Sequence, residues 1–357
     1  MIWLFAICVL GVPVGFLLLW RIPLCGRSRA DSMLPVSIII PARNEERNLT
    51  QLLASISKSD YRPQEVIVVD DCSSDETAFV ANHLGATVVT SGPLPYGWTG
   101  KTWACSQGAE TAGSELVLFL DADTYFVPGG LEQLVVAYDK LSRTEVALSL
   151  LPYHVMCAPY EQLSLIFNLL MAFGAGGFGM LGGERLFGQS LLISRDLYVK
   201  SGGHAAVRHN ILENFALSSR IKDAGGTCVC LGGFGVLNIR MFPDGLAQLC
   251  EGWSKAFADG AAASDRRVLM LAILWLTLMC STFLLIPLAP AGWHVAYALL
   301  YLCYVLQLVS STRQIGNYSV VTCILYPLPL VFFFAIFAQS LYRRVFKRKV
   351  TWRGRSV

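Results

Sequence analysis

The chain has 357 residues, of which 54% are hydrophobic and only 15% charged, and its mean hydropathy is positive. That balance excludes a wholly soluble protein and a disordered one. The net charge is only +3 and its basic residues gather beside apolar stretches, which speaks against nucleic acid as a partner.

Residues 1–20 are nearly uncharged and run into Arg21, Arg27 and Arg29. A secretory signal has its positive charge before the apolar run, so the reversed order predicts an anchor over 1–30 with its C-terminal side in the cytoplasm. Ordinary polarity over 31–265 marks a candidate soluble domain. After Arg266-Arg267 come three apolar stretches, 268–288, 293–311 and 318–341, each near the ~20 residues a spanning helix needs. The tail 343–357 carries seven basic residues, from Arg343 to Arg355, which the positive-inside tendency places in the cytoplasm. Three late spans would put it outside, so 318–341, interrupted by Pro327 and Pro329, is expected to re-enter, or one stretch to lie along the interface. The expectation is a multi-pass protein of the cytoplasmic membrane with its soluble domain in the cytoplasm.

Within that domain, the β-branched run Val36–Ile40 reads as a buried strand closed by Pro41. Asn44-Glu45-Glu46 opens an amphipathic helix with Leu49, Leu52, Leu53 and Ile56 on one face. A second strand, Glu65–Val69, ends in Asp70 and Asp71, and a short third covers Thr87–Thr90. Strand–helix alternation predicts a mostly parallel sheet covered on both sides, with ligands at the C-terminal strand edges.

The next strand, Leu116–Leu120, ends in Asp121 and Asp123. At period two both carboxylates point to one side, where hard oxygen ligands suit Mg²⁺ or Mn²⁺ carrying a diphosphate; the alternative is an Asp-rich turn. Gly97-Trp-Thr-Gly-Lys-Thr102 invites a phosphate-loop reading, but Pro95 stands where the Walker pattern needs glycine. Lys101 reads either as a phosphate contact at a helix start or as a solvated surface lysine.

Three motifs in order, Ile38-Ile-Ile-Pro-Ala-Arg-Asn-Glu45, Glu65-Val-Ile-Val-Val-Asp-Asp-Cys-Ser-Ser-Asp-Glu-Thr77 and Phe119-Leu-Asp-Ala-Asp-Thr124, resemble glycosyltransferase family 2. Gly100-Lys-Thr-Trp-Ala104, Gly202-Gly-His204, Glu213-Asn-Phe-Ala-Leu217, Glu251-Gly-Trp-Ser-Lys255 and Val350-Thr-Trp-Arg-Gly-Arg355 extend the resemblance to its membrane-bound bacterial branch that includes the carotenoid glycosyltransferases. The resemblance implies a GT-A, Rossmann-like α/β catalytic domain plus transmembrane helices. It further implies that Pro41, Glu45 and Asp71 contact the nucleoside of a nucleotide sugar, with Asp121 at the diphosphate. Asp121 and Asp123 would hold Mn²⁺ or Mg²⁺.

Tyr160–Leu181 is apolar and interrupted by glycines, and reads as a fourth span, an interfacial segment facing the acceptor, or a buried core helix. Gly182–Ser190 supplies small residues suited to a sugar lying against backbone. His204, Arg208 and His209 form a polar cluster, each open to a structural role or to acceptor contact. Family members usually show Glu-Asp, the Asp being the base, where this chain has Glu213-Asn214. An amide takes no proton near pH 7, so Glu213 serves as base, or the acceptor arrives ionised, or Glu213 only caps its helix. The processive synthases' Gln-x-x-Arg-Trp becomes Leu249-Cys-Glu-Gly-Trp253. Trp253 is kept or is an interfacial anchor, and Lys255 stands in for the lost arginine, which argues for single transfers.

The expected activity is inverting transfer of one hexose, from a UDP-hexose such as UDP-glucose, to a lipophilic membrane acceptor, with a carotenoid acid as first choice. Polyprenyl phosphate or a glycolipid precursor is the alternative acceptor. An inactive nucleotide-sugar-binding scaffold is the alternative of another class, and Mn²⁺-dependent turnover separates it from the enzyme.

Overall fold

The computed structural model describes residues 1–26, 34–141, 145–174, 178–179, 185–210, 212–263, 265–345, 351–352 and 355–356, with the side chains of 255–263 and of those beyond 342 left aside. The chain forms two compact units. One comprises Pro23–Tyr153, Glu184–Arg240 and Lys349–Val357, and the other Met1–Ile22, His154–Gly183 and Met241–Arg348.

The first unit is an α/β sandwich. Its strands are β1 (Val36–Ala42), β2 (Glu65–Asp70), β3 (Thr87–Thr90), β4 (Leu116–Leu120), β5 (Thr124–Phe126), β6 (Val146–Leu151), β7 (Ser190–Ser194), β8 (Thr227–Gly232) and β9 (Leu237–Ile239). Seven of them form one sheet in the order β3-β2-β1-β4-β7-β6-β8. All its pairings are parallel except those of β7, which runs antiparallel to both β4 and β6. β5 and β9 pair antiparallel in a small second sheet.

The apolar runs follow from burial on both faces. Ile38, Ile40, Val68, Leu118 and Leu120 point into one core, which the helix Glu46–Ser57 closes with Leu49, Leu52, Leu53 and Ile56. Ile39, Ile67, Val69, Val117 and Phe119 point into the other, under the helix Gly100–Thr111. That helix approaches closely because Gly108 has no side chain. A Cβ there would lie 2.4 Å from Ile39 Cγ2.

In the second unit two helices are long and apolar enough to cross a membrane, Arg266–Leu285 and Ala291–Thr312. They match the expected stretches 268–288 and 293–311. The expected anchor is instead a 17-residue apolar stretch, Ile2–Leu18, built as helices Ile2–Val9 and Gly11–Leu18. The stretch 318–341 divides at Leu325 and Tyr326 into Val320–Ile324 and a helix that starts at Pro327, where a proline is tolerated because the first-turn N–H has no helical partner. Much of the basic tail lies outside the described residues.

Tyr160–Leu181 is described in part. It contains a short 3₁₀ turn, Pro159–Ser164, and a 10-residue helix, Leu165–Gly174, in which Leu165, Ile166, Phe167, Leu169, Ala172 and Phe173 are all buried. Ten residues reach about 15 Å, half the bilayer core. The described part is a buried helix of its unit, too short by itself to span.

Candidate active site

The loops after β1 and β2 clasp one another at the C-terminal edge of the sheet. Asn44 and Cys72 both adopt left-handed φ of 54°, which turns the two chains sharply. The Asn44 N–H donates to Ser73 Oγ at 2.9 Å, and the Ser74 N–H returns a bond to Asn44 Oδ1 at 2.8 Å. Glu45 donates its N–H to Thr77 Oγ1 at 2.8 Å and accepts from Asn48 Nδ2 at 2.6 Å. Asp71 is buried, with the Arg43 guanidinium donating to its carbonyl at 2.8 Å and lying 3.7 Å from its carboxylate. The edge where a nucleoside is expected is thus prebuilt, with Glu45 and Asp71 both in it.

β4 ends in the turn that bears Asp121 and Asp123. The Asp121 N–H donates to the Gln189 carbonyl at 3.0 Å, and Thr124 returns its N–H and hydroxyl to the Asp121 carbonyl at 3.1 and 2.8 Å. β7 therefore pins the backbone of this turn from the neighbouring position in the sheet.

Lys101 is the centre of the site. Thr99 caps its helix, and the Arg208 carbonyl accepts from both the Thr99 N–H at 2.9 Å and the Thr102 hydroxyl at 2.8 Å. From the first turn the Lys101 ammonium reaches Asp121 Oδ1 at 2.7 Å, Glu213 Oε1 at 2.7 Å and the Gly188 carbonyl at 3.0 Å. It is no solvated surface lysine. Pro41, Phe119, His204 and Asn214 complete the small recess around these groups.

Glu213, first residue of the helix Glu213–Asp223, is 5% exposed. Burial raises its carboxyl above the ordinary range; the Lys101 charge opposes that rise and Asp121 adds to it. Burial alone would depress the Lys101 ammonium, but its two carboxylates outweigh it and hold the pKa above the ordinary value. Asn214 is buried and donates from Nδ2 to the Phe187 carbonyl at 2.8 Å.

The polar cluster divides. His204 is buried against Phe119, with Nδ1 bonded to the Tyr198 hydroxyl at 2.9 Å, and burial pushes it down to about 3, so it is neutral at physiological pH. Arg208 and His209 are exposed, and Arg208 contributes to the site its carbonyl, which the sequence pattern did not suggest. Trp253 belongs to the other unit, buried there with Nε1 donating to Ser164 Oγ at 3.0 Å and its ring stacked on Phe167. The Lys255 side chain and Gly182–Glu184 lie outside the described residues. Gly188, Gln189, Tyr198 and Phe187 were not separately predicted; they act through backbone groups or a buried ring, for which no residue type gives a signal.

Among the described residues no group of three or more His, Cys, Asp or Glu side chains gathers as a metal site. Two carboxylates on one pinned turn are nevertheless a donor set that suits Mg²⁺ or Mn²⁺, which take one or two protein carboxylates and complete their shell with substrate phosphates and water. The residues fit such an ion.

Residues 37–214 match the family described as Glycosyl transferase family 2. The 4,4'-diaponeurosporenoate glycosyltransferase of Staphylococcus aureus strain USA300 is 34% identical over 332 residues, 90% of this chain and 87% of the relative. That of strain MRSA252 is 34% identical over 328 residues. Among solved structures, the mannosyltransferase PcManGT from Pyrobaculum calidifontis, in complex with GDP-Man and Mn²⁺, matches with a TM-score of 0.57 and 16% identity over 97% of this chain and 100% of that one, a likeness of fold. With a GT-A-like sheet, both acids of its Asp-x-Asp turn at the ligand edge, and a relative this similar over nine-tenths of its length, the chain belongs to glycosyl transferase family 2.

Proposed function

We propose that this protein transfers a single hexose, with inversion, from UDP-glucose to the carboxylate of a carotenoid acid held in the cytoplasmic membrane. The observation that carries the reading is Lys101 fixed between Asp121 and Glu213 at the sheet edge beside the nucleoside clasp. A cation anchored there suits the negative charge that develops as a nucleoside diphosphate departs. The name of the S. aureus relative supports the acceptor class.

In this mechanism Glu45, Asp71 and Pro41 line the nucleoside side. Asp121 and Asp123 would hold Mn²⁺ or Mg²⁺, which supplies Lewis-acid neutralisation of the diphosphate. Lys101 faces the same phosphates with a point charge. The acceptor carboxylate is ionised at neutral pH and attacks the anomeric carbon in line with the leaving oxygen; a hydroxyl acceptor would need a base, and the role of Glu213 stays open between that and another.

Membrane residence is part of the proposal. Met270, Ile273, Leu284, Leu299 and Leu306, on the two long apolar helices, are all exposed, a placement that suits lipid contact. Multi-pass insertion with the catalytic unit in the cytoplasm follows from the basic flanks.

Mass spectrometry of lipid extracts, from cells with and without the protein and fed labelled glucose, tests the whole reading. A carotenoid-mass species gaining one hexose is expected. A hexosyl polyprenyl phosphate instead would move the enzyme to the other acceptor, and no lipid difference would favour the inactive scaffold.

A further inference from the structure

We propose that Glu213 is a positioning residue that holds Lys101 at the donor diphosphate, and that neither Glu213 nor Asn214 takes a proton from the acceptor. This rests on the reading that the chain transfers a sugar from a nucleotide. It replaces the one role left open there, that of Glu213.

An ammonium has three N–H donors and no acceptor. Lys101 donates a hydrogen bond to the Gly188 carbonyl at 3.0 Å and lies in ion-pair contact with Asp121 Oδ1 and Glu213 Oε1, both at 2.7 Å, so its charge is held between two carboxylates and a carbonyl. A general base must offer a lone pair to the acceptor's proton. Glu213 instead directs an oxygen to a cation inside the protein, and at 5% exposure it depends on that cation. Protonating Glu213 would remove one of the two counter-charges of Lys101.

Asn214 serves the same end by another route. Its Nδ2–H bond to the Phe187 carbonyl at 2.8 Å fixes the segment just ahead of Gly188, whose carbonyl is the third acceptor on Lys101. His204, the remaining basic side chain of the recess, has its Nδ1 bonded to Tyr198. Glu213 thus holds the lysine itself, and Asn214 holds the backbone that meets it.

If Glu213 is committed to Lys101 in this way, the acceptor best served is one that arrives ionised. In the step, an acceptor carboxylate oxygen forms the bond to the anomeric carbon as the bond from that carbon to the diphosphate oxygen breaks. The electron pair leaves with the nucleoside diphosphate, and no proton moves. A neutral alcohol would also have to lose a proton, and giving it to Glu213 would remove a counter-charge of Lys101.

UDP binding by the full chain in detergent, with Mn²⁺ and no acceptor, tests this by calorimetry. A base has no part in that equilibrium, but a residue that positions Lys101 does. Glu213→Gln and Lys101→Met are each expected to weaken UDP binding about tenfold, and the double variant to lose no more than either alone, as members of one unit do. Glu213→Asp, which keeps the charge, is expected to retain part of the affinity and serves if Glu213→Gln fails to fold. Wild-type UDP affinity in a folded Glu213→Gln protein that has lost transfer would overturn the proposal, as would additive losses. Transfer to a neutral alcohol analogue of the acid acceptor at the rate seen with the acid would overturn it too. A wild-type chain that binds neither UDP nor GDP would instead remove the nucleotide-sugar reading beneath it.

Discussion

The Asn214 side-chain amide donates to the Phe187 carbonyl at 2.8 Å in a site 4% exposed, so the position requires a donor and not merely a polar residue. Asn214→Asp, which would restore the family's usual Glu-Asp pair, places a desolvated carboxylate against a carbonyl oxygen. The lost hydrogen bond and the buried charge should cost about 2 to 4 kcal/mol at neutral pH. Melting in detergent checks this. The loss should shrink as the pH is lowered and the carboxyl gains a proton to donate, and a variant as stable as wild type at pH 8 would contradict the assigned bond.

Asp121→Ala and Asp123→Ala should each reduce metal-dependent hydrolysis of UDP-glucose by about two to three orders of magnitude, the scale on which charge stabilisation of a leaving group acts. Chelation of the wild-type protein should have the same effect and be reversed by Mn²⁺. Turnover unchanged in both variants would sink the assignment of the ion to this turn.

Three strands in the first half of the catalytic unit were readable in the sequence because each is a continuous apolar run with an acid or a proline at or near its end. Leu116–Leu120 is as expected, Glu65–Asp70 is one residue longer, and Val36–Ala42 runs on through Pro41, the residue expected to close it; Asp121 and Asp123 follow Leu120. What could not be read is non-local. Ser190–Ser194 enters the middle of the sheet antiparallel, with Leu120 opposite Ser190, and that register brings Gly188 and Gln189 to Lys101 and Asp121. Nothing in a five-residue apolar run states its direction. Leu165–Gly174 stays ambiguous in the sequence for a similar reason, since a helix that is apolar all round suits a protein core as well as lipid.

Gly108 permits the close seat of the helix that carries Lys101, with Ile39 Cγ2 and Val69 Cγ2 at 2.4 and 3.1 Å from where a Cβ would stand. Gly108→Val should overpack this contact and cost about 1 to 3 kcal/mol. Because the helix must shift for the side chain to fit, UDP affinity should fall as well, although residue 108 faces the core and not the ligand edge. Unchanged affinity in a destabilised protein would mean that the Lys101 end of the helix moves independently of its middle.

His204 gives the fold an acid limit. Burial, aided by the charge of Lys101, lowers its pKa from 6.5 to about 3, so the unfolded chain binds a proton there that the native protein refuses. Its contribution is complete above pH 6.5 and is lost progressively as the pH falls from 6.5 toward 3, by at most about 1.4 kcal/mol per pH unit. Glu213 acts in the opposite sense, since burial raises its carboxyl and the native protein holds that proton more tightly. The difference between wild type and His204→Gln therefore isolates the histidine. The melting temperature of wild type should fall more steeply than that of the variant between pH 6.5 and 4, and the two curves should run parallel above pH 7. Equal slopes on the acid side would show that His204 is protonated in the folded protein and that its bond to the Tyr198 hydroxyl runs the other way.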